Sequence, residues 1–357
     1  MVEYVEIVDR VRGALLGGAI GDALGWPIEF RSLTQIREQH GSLGVTGFLP
    51  DYGPPQQVTD DTQMTLFTAE GLLRCPPGAD LAPVMRRSYL RWLHSQSAQG
   101  PGASPDGWLL NHRFLYAVRA PGDTCMSGLE QQRRGYIAPA PLGHPGPVNA
   151  HSKGCGTVMR SAPFGLVGAG PDSAFESAAR CAQLTHGHPT GYLAAGAFGA
   201  LIDRVMSGIE LRKALRETIV QVASMPRGTQ TATALERALT LADTEPPTSE
   251  VVQQVGAGWI AEECLAIAVH CALRAETEDI RTALLLSVNH SGDSDSTGAV
   301  TGNLLGAIHG LSGLPHEWAA GVEGRDVLVQ IADDIVVAYV LRDHARVAQR
   351  HPVDRAT

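Results

Sequence analysis

The chain has 357 residues, ample for a self-sufficient core, and its 44% apolar and 18% charged content is that of a folded globular protein, not a disordered one. With 28 basic residues against 37 acidic ones the net charge is −9, and without a basic stripe nucleic acid is not the expected partner. The N-terminal MVEYVEIVDRVRG carries acids where a secretory leader carries basic residues, and Gly, Asp or Arg breaks every apolar run well short of the roughly 18 residues of a membrane span. A cytoplasmic protein with no membrane partner is expected. Its six cysteines include no CxxC pair and read as reduced, mostly buried thiols.

Apolar residues recur at three- and four-residue spacing over 5–24, 63–74, 172–185, 191–206, 209–224, 261–274, 278–287, 297–311 and 326–342. Alternating β-branched runs are nearly absent, so the fold class is all-α, with one domain over 1–345 and a tail over 346–357. The first helix carries Gly13, Gly17, Gly18, Gly21 and Gly25, each costing on the order of 1 kcal/mol relative to Ala. Close approach of another helix backbone, or of a ligand, would compensate. Between about 97 and 157 Gly and Pro recur (GPGASPDG, APAPLGHPGP), and a long irregular stretch inside a domain is usually functional or mobile.

Two short segments put hard oxygen donors where helices begin: Val58-Thr59-Asp60-Asp61-Thr62 and Ser291-Gly292-Asp293-Ser294-Asp295-Ser296-Thr297-Gly298. Taken singly, each is accounted for by capping and by complementing the helix dipole. Taken together, four carboxylates in a mostly apolar fold repel unless cations neutralise them. Oxygen-only donors suit Mg²⁺ or Mn²⁺ rather than zinc. An EF-hand counted from Asp293 fails at its last place, where Leu304 stands instead of a bidentate Glu. These residues favour a two-metal hydrolase site. Between the clusters, His151-Ser152-Lys153-Gly154-Cys155-Gly156 is a glycine-rich turn able to offer N–H groups to a phosphate, though it matches neither a Walker A nor a GxGxxG pattern. In Gln183-Leu184-Thr185-His186-Gly187-His188-Pro189-Thr190-Gly191-Tyr192, the histidines are either ligands or helix caps. Tyr192 either stacks on a base or sugar or belongs to the core.

In this order, GALLGGAIGDALGWPIEF, VTDDTQMTLFTAEGLL, SKGCGTVMRSAPFGLV, LTHGHPTGYLAAGAF, GWIAEECLAIA and HSGDSDSTGAVTGNLLGAIHG resemble the ADP-ribosylglycohydrolase family over about 300 of the 357 residues. The resemblance implies a single compact orthogonal helical bundle, two Mg²⁺ ions (or Mn²⁺) and hydrolysis of an ADP-ribosyl bond. It assigns metal binding to Thr59, Asp60, Asp61, Asp293, Asp295 and Ser296, with Thr297 the alternative if the register shifts by one. Glu29 matches a mobile acid. Ser152, Gly154 and Gly156 match a phosphate loop that has Lys153 at a place often aromatic or polar. His186 matches a residue on the ribose-phosphate path, and Glu263 a late helix acid; Tyr192 completes the expected substrate contacts. The LTHGHPTGY segment is most similar to the ADP-ribosylarginine hydrolases. The implied reaction is cleavage of an N-glycosidic bond to arginine, with Asp61 deprotonating water and Glu29 gating or assisting proton transfer. The expected substrate is an ADP-ribosylated protein or small molecule, and the chain is expected to be a monomer. The alternatives are a hydrolase of serine-linked, nucleobase or small-molecule ADP-ribose, or a non-catalytic protein that binds ADP-ribose or an ADP-ribosyltransferase.

Overall fold

Helix follows helix through the computed structural model, which describes residues 2–354. The first half contains α1 (Val2–Gly25), α2 (Leu33–His40), α3 (Asp60–Leu73), α4 (Leu81–Ser95), α5 (Asp123–Arg134), α6 (Ala162–Leu166) and α7 (Pro171–Ala182). Then come α8 (Pro189–Met206), α9 (Leu211–Ser224), α10 (Thr229–Thr244), α11 (Ser249–Val255) and α12 (Ala261–Arg274). The chain closes with α13 (Ile280–Val288), α14 (Ser294–Gly313), α15 (His316–Gly321), α16 (Arg325–Ile335) and α17 (His344–Val347). Among the described residues there is no strand, only two isolated bridges, Gln56 with Val322 and Gly154 with Ile260. The all-α expectation holds. No helix of the described residues is long and apolar enough to cross a membrane.

The glycine row of α1 has a packing explanation. Every residue from 13 to 25 is buried, the pattern of a helix apolar on all sides. A Cβ added at Gly17 would lie 2.2 Å from the carbonyl oxygen of Gly302, one at Gly21 1.9 Å from that of Gly298, and one at Gly25 2.2 Å from that of Ser294. Gly13 meets Gly306 and Gly310 in the same way. Numbers rise on one helix as they fall on the other, so α1 and α14 run antiparallel, backbone against backbone. Only a residue without a side chain permits that distance. The end of α1 is thereby fixed beside the start of α14.

Several helices lie outside the predicted set, among them α4, α5, α10 and α11. In α10 (TQTATALERALTLADT) the buried face is Thr231, Ala232, Leu235, Ala238 and Ala242, with one large apolar side chain. In α5 it is Cys125, Gly128, Leu129 and Gln132, inside the Gly/Pro-rich stretch. Buried faces made of small residues leave little periodic signal. The segment after residue 345 is packed as far as it is described. His351 is fully buried, and Asp354 accepts from Arg74 Nη2 at 2.7 Å and Arg91 Nη2 at 2.6 Å.

Candidate active site

Three helix ends converge because of the α1–α14 contact. Asp22, in the last turn of α1, is fully buried and receives both the backbone N–H and the hydroxyl of Thr59 and of Thr62. Thr59 is the N-cap of α3, its side-chain oxygen accepting from Asp61 N at 3.3 Å. Asp22 thus places its carboxyl at the start of α3, where the helix dipole favours negative charge, and orients Asp60 and Asp61. Burial and the charge of Asp295 push its carboxyl up to about 7, against the hydrogen bonds from Thr62 and Thr59. Opposite, Asp293 caps α14 by accepting from Ser296 N. After α1, the short Trp26-Pro27-Ile28 turn delivers Glu29.

These ends wall a cleft of about 450 Å³. Among the described residues its lining includes Glu29, Asp60, Asp61, Asp123, Asp293 and Asp295 but no lysine or arginine. Oxygens of Glu29, Asp293 and Asp295 lie within 4.8 Å of one another, close enough to share an ion. Asp60 Oδ2 accepts from Gly122 N at 3.2 Å, and the Cys155 thiol donates to Asp293 Oδ2 at 2.7 Å. Glu29 Oε2 and Asp61 Oδ1 are buried with no hydrogen-bond partner. Burial first, and then the charge of Asp295, hold Asp60, Asp61 and Asp293 well above the ordinary carboxylate range. Burial and the charges of Asp295, Asp293 and Asp60 push Glu29 up to about 10. So many acids cannot all be charged at once without cations between them. The unpartnered oxygens and the all-oxygen donor set fit hard divalent ions.

Of the residues picked out from the sequence, Glu29, Asp60, Asp61, Gly154, Gly156, His186, Asp293, Asp295 and Ser296 line the cleft. The glycines of the loop pack closely there. A Cβ at Gly156 would lie 2.7 Å from Cys125 Sγ, and one at Gly154 3.3 Å from His186 Nε2. His186 is buried, with Nδ1 2.7 Å from Thr185 Oγ1, which accepts from Arg160 Nη2 at 2.7 Å. Burial, and then the charge of Arg160, lower its pKa well below the usual value, which keeps the ring neutral.

Five expected site residues are not on the wall, and each has a physical reason. Thr59 stands behind Asp61, its hydroxyl spent on Asp22. The Ser152 hydroxyl pairs with Thr124 Oγ1 at 3.0 Å, and the Lys153 ammonium is taken up by the Glu262 carboxylate. Tyr192 is fully buried, its hydroxyl accepting from Gly143 N and donating to His144 O, so it belongs to the core and is no stacking platform for substrate. Glu263 accepts from Ala257 N at 2.9 Å and braces the loop before α12. Thr297 is also excluded as a wall residue. Its hydroxyl lies between the carbonyls of Ser287 and Asp293, and Ser296 faces the cleft. Asp22, Phe30, Cys155, Trp259 and the segment Ala120–Cys125, which runs into the first turn of α5, were not picked out. The segment lay in the Gly/Pro-rich stretch, and the other four lay inside the quoted motifs with no pattern of their own to single them out.

The family model for ADP-ribosylglycohydrolase matches residues 4–345, and the chain belongs to that family of hydrolases. It is 26% identical over 320 residues to the ADP-ribosyl-[dinitrogen reductase] glycohydrolase of Rhodospirillum rubrum, covering 89% of this chain and 92% of that one. It is 22% identical to the ADP-ribosylarginine hydrolase Tri1 of Serratia proteamaculans, over 94% of this chain and 81% of that one. It is 25% identical to the ADP-ribosylhydrolase ARH3 of Bos taurus, over 90% and 92%. A solved structure titled ADP-ribosylglycohydrolase-related protein complex superposes with a TM-score of 0.63 at 26% identity, covering 93% of this chain and 98% of that one.

Proposed function

We propose that the protein removes ADP-ribose from modified arginine side chains by hydrolysing the N-glycosidic bond between the anomeric carbon and a guanidinium nitrogen. The observation that carries this reading is the cleft wall of six carboxylates without a lysine or arginine. A wall that carries no basic side chain does not repel a cationic leaving group or an oxocarbenium-like transition state. The naming of a similar protein as an ADP-ribosylarginine hydrolase supports it. Asp60, Asp61, Asp293, Asp295 and Ser296 would hold two Mg²⁺ ions (or Mn²⁺), with Glu29 beside them. When bound, the ions neutralise the acids and withdraw charge from the ribose hydroxyls.

Asp61, whose Oδ1 is unpartnered, takes a proton from the attacking water. The water oxygen bonds to the anomeric carbon as the bond to nitrogen breaks. Glu29, the half-buried acid at the mouth, passes a proton to the departing nitrogen. The backbone N–H groups of Gly154 and Gly156, with that of Cys155 donated to Trp259 O, and the neutral His186 hold the diphosphate and ribose in register with those acids.

Incubating the protein and Mg²⁺ with arginine-, serine- and nucleic-acid-linked ADP-ribose, and measuring free ADP-ribose, tests the reading. Release from the arginine conjugate is expected. Release from the serine conjugate alone would move the activity to O-linked ADP-ribose. Binding without release would make the protein an ADP-ribose reader.

A further inference from the structure

Two aromatic side chains at the cleft mouth are not used by that chemistry. Phe30 is 70% exposed and Trp259 39%. Their rings stack at 5.2 Å with an interplanar angle of 21°, and both line the cleft. Phe30 also holds φ at +64°, left-handed backbone that a bulky side chain seldom adopts. Strain of this kind persists where the surroundings enforce it and clusters at ligand clamps. A stacked pair of large rings left facing solvent, one of them on a strained backbone, is a contact surface waiting for a partner.

Its position says which part of the substrate it meets. Phe30 directly follows Glu29, whose carboxylate clusters with Asp293 and Asp295. Trp259 directly follows Gly258, where an added Cβ would lie 3.2 Å from Cβ of Asp293. Trp259 O also accepts from Cys155 N at 3.1 Å, so the pair stands between the 154–156 loop and the carboxylates that surround the reacting carbon. In an ADP-ribosylated arginine, the adenine is separated from that carbon by a ribose, a diphosphate and a second ribose. The diphosphate is an anion, repelled by acids and by the negative faces of aromatic rings. The guanidinium is planar, cationic and bonded to the reacting carbon itself. Guanidinium groups stack on aromatic faces, and Trp is the strongest of these platforms.

We propose that Phe30 and Trp259 form the wall against which the leaving guanidinium stacks, and that this wall sets a preference for arginine-linked over hydroxyl-linked ADP-ribose. This inference rests on the reaction proposed above and adds the specificity-determining residues. It requires that ADP-ribose itself bind without help from the pair.

The test uses Phe30→Leu and Trp259→Leu, with Phe30→Tyr and Trp259→Phe as conservative partners. Agmatine, a small guanidinium compound, is titrated calorimetrically onto protein saturated with Mg²⁺ and ADP-ribose. The affinity for ADP-ribose alone and the KM for ADP-ribosyl-agmatine are measured in parallel. Each leucine variant is expected to weaken agmatine and raise that KM by about tenfold, leaving ADP-ribose affinity within about twofold, and the aromatic variants to recover most of the loss. An equal fall in ADP-ribose affinity would mean that the pair holds the nucleotide, and would overturn the proposal. So would a wild-type protein that binds no agmatine, or leucine variants that bind it normally. Trp259-dependent agmatine binding in a protein that leaves arginine conjugates intact would preserve the wall and overturn the reaction. Undiminished cleavage of arginine conjugates by both leucine variants would do the reverse.

Discussion

Asp22 holds the start of α3 with both of its oxygens. Removing it in Asp22→Ala leaves the N–H and hydroxyl groups of Thr59 and Thr62 without their acceptor in a buried place. Each stranded donor costs roughly 1–3 kcal/mol, so urea unfolding is expected to register a loss of at least ~3 kcal/mol. The acids that face the cleft act differently. Asp60→Asn, Asp61→Asn, Asp293→Asn and Asp295→Asn are each expected to abolish most turnover and to weaken Mg²⁺ in calorimetric titration, because each deletes a ligand charge. Unchanged metal affinity in all four would remove the two-ion site. Ser296→Ala is expected to cut turnover with little change in stability. Thr297→Ala should lower the melting temperature instead, since its hydroxyl bridges buried carbonyls. The acids were readable in the sequence because two dense runs of oxygen donors before apolar helices exceed what capping alone requires. Asp22 was not, since one acid inside a glycine row looks like any interior helix residue. Nor does spacing reveal that Lys153 is claimed by Glu262 or that Tyr192 is claimed by Gly143 and His144.

The glycines of α1 act as a set, and their effect passes from packing to chemistry. Gly17→Ala or Gly21→Ala would push a methyl group into the Gly302 or Gly298 backbone. Overpacking of this kind costs about 1–3 kcal/mol or more. It would also separate Glu29 from Asp293 and Asp295, so turnover should fall further than stability does. Gly102→Ala, at a site with open space around it, is the control and should be neutral in both thermal melting and turnover. The glycine spacing could be read in the sequence as a demand for close approach, but the partner could not be named. α14 supplies Gly298, Gly302 and Gly306 from the other end of the chain, and no local pattern pairs distant helices. The missed helices α5 and α10 bury small or polar faces, so what fixes them is tertiary contact and not their own periodicity.

At the scale of the whole molecule, the C-terminal segment closes the body through charge. His351 Nε2 lies 2.9 Å from Asp334 Oδ2, and its Nδ1 lies 3.5 Å from the fully buried Glu70, which also accepts from the N–H groups of Trp108 and Leu109. Burial opposes a charged imidazole, but the bonds to Asp334 and Glu70 outweigh it and raise the His351 pKa above its usual 6.5. Burial likewise opposes a charged Asp334, yet the bonds from His351 and Arg350 hold it below its usual 3.8. The histidine's contribution is complete below pH 6.5 and fades as pH rises through the raised value. The aspartate's is complete above pH 3.8 and fades as pH falls through the lowered value. Melting temperatures across the pH range should show His351→Gln losing most, relative to wild type, between about pH 4 and 6.5. The two should converge at higher pH. A constant difference at every pH would mean that His351 acts by packing alone.

The α1–α14 contact also has a meaning in time. It joins α1 to a helix that begins at residue 294, and synthesis at about 5–20 residues per second separates the two by on the order of ten seconds or more. Throughout that interval the glycine-lined face of α1 has no neighbour, and Asp60 and Asp61 have no opposing acids. Assembly of the acidic cleft therefore waits for α14, held back by contacts of long sequence separation. A nascent or truncated chain that stops short of α14 is expected to be inert however well its earlier helices fold.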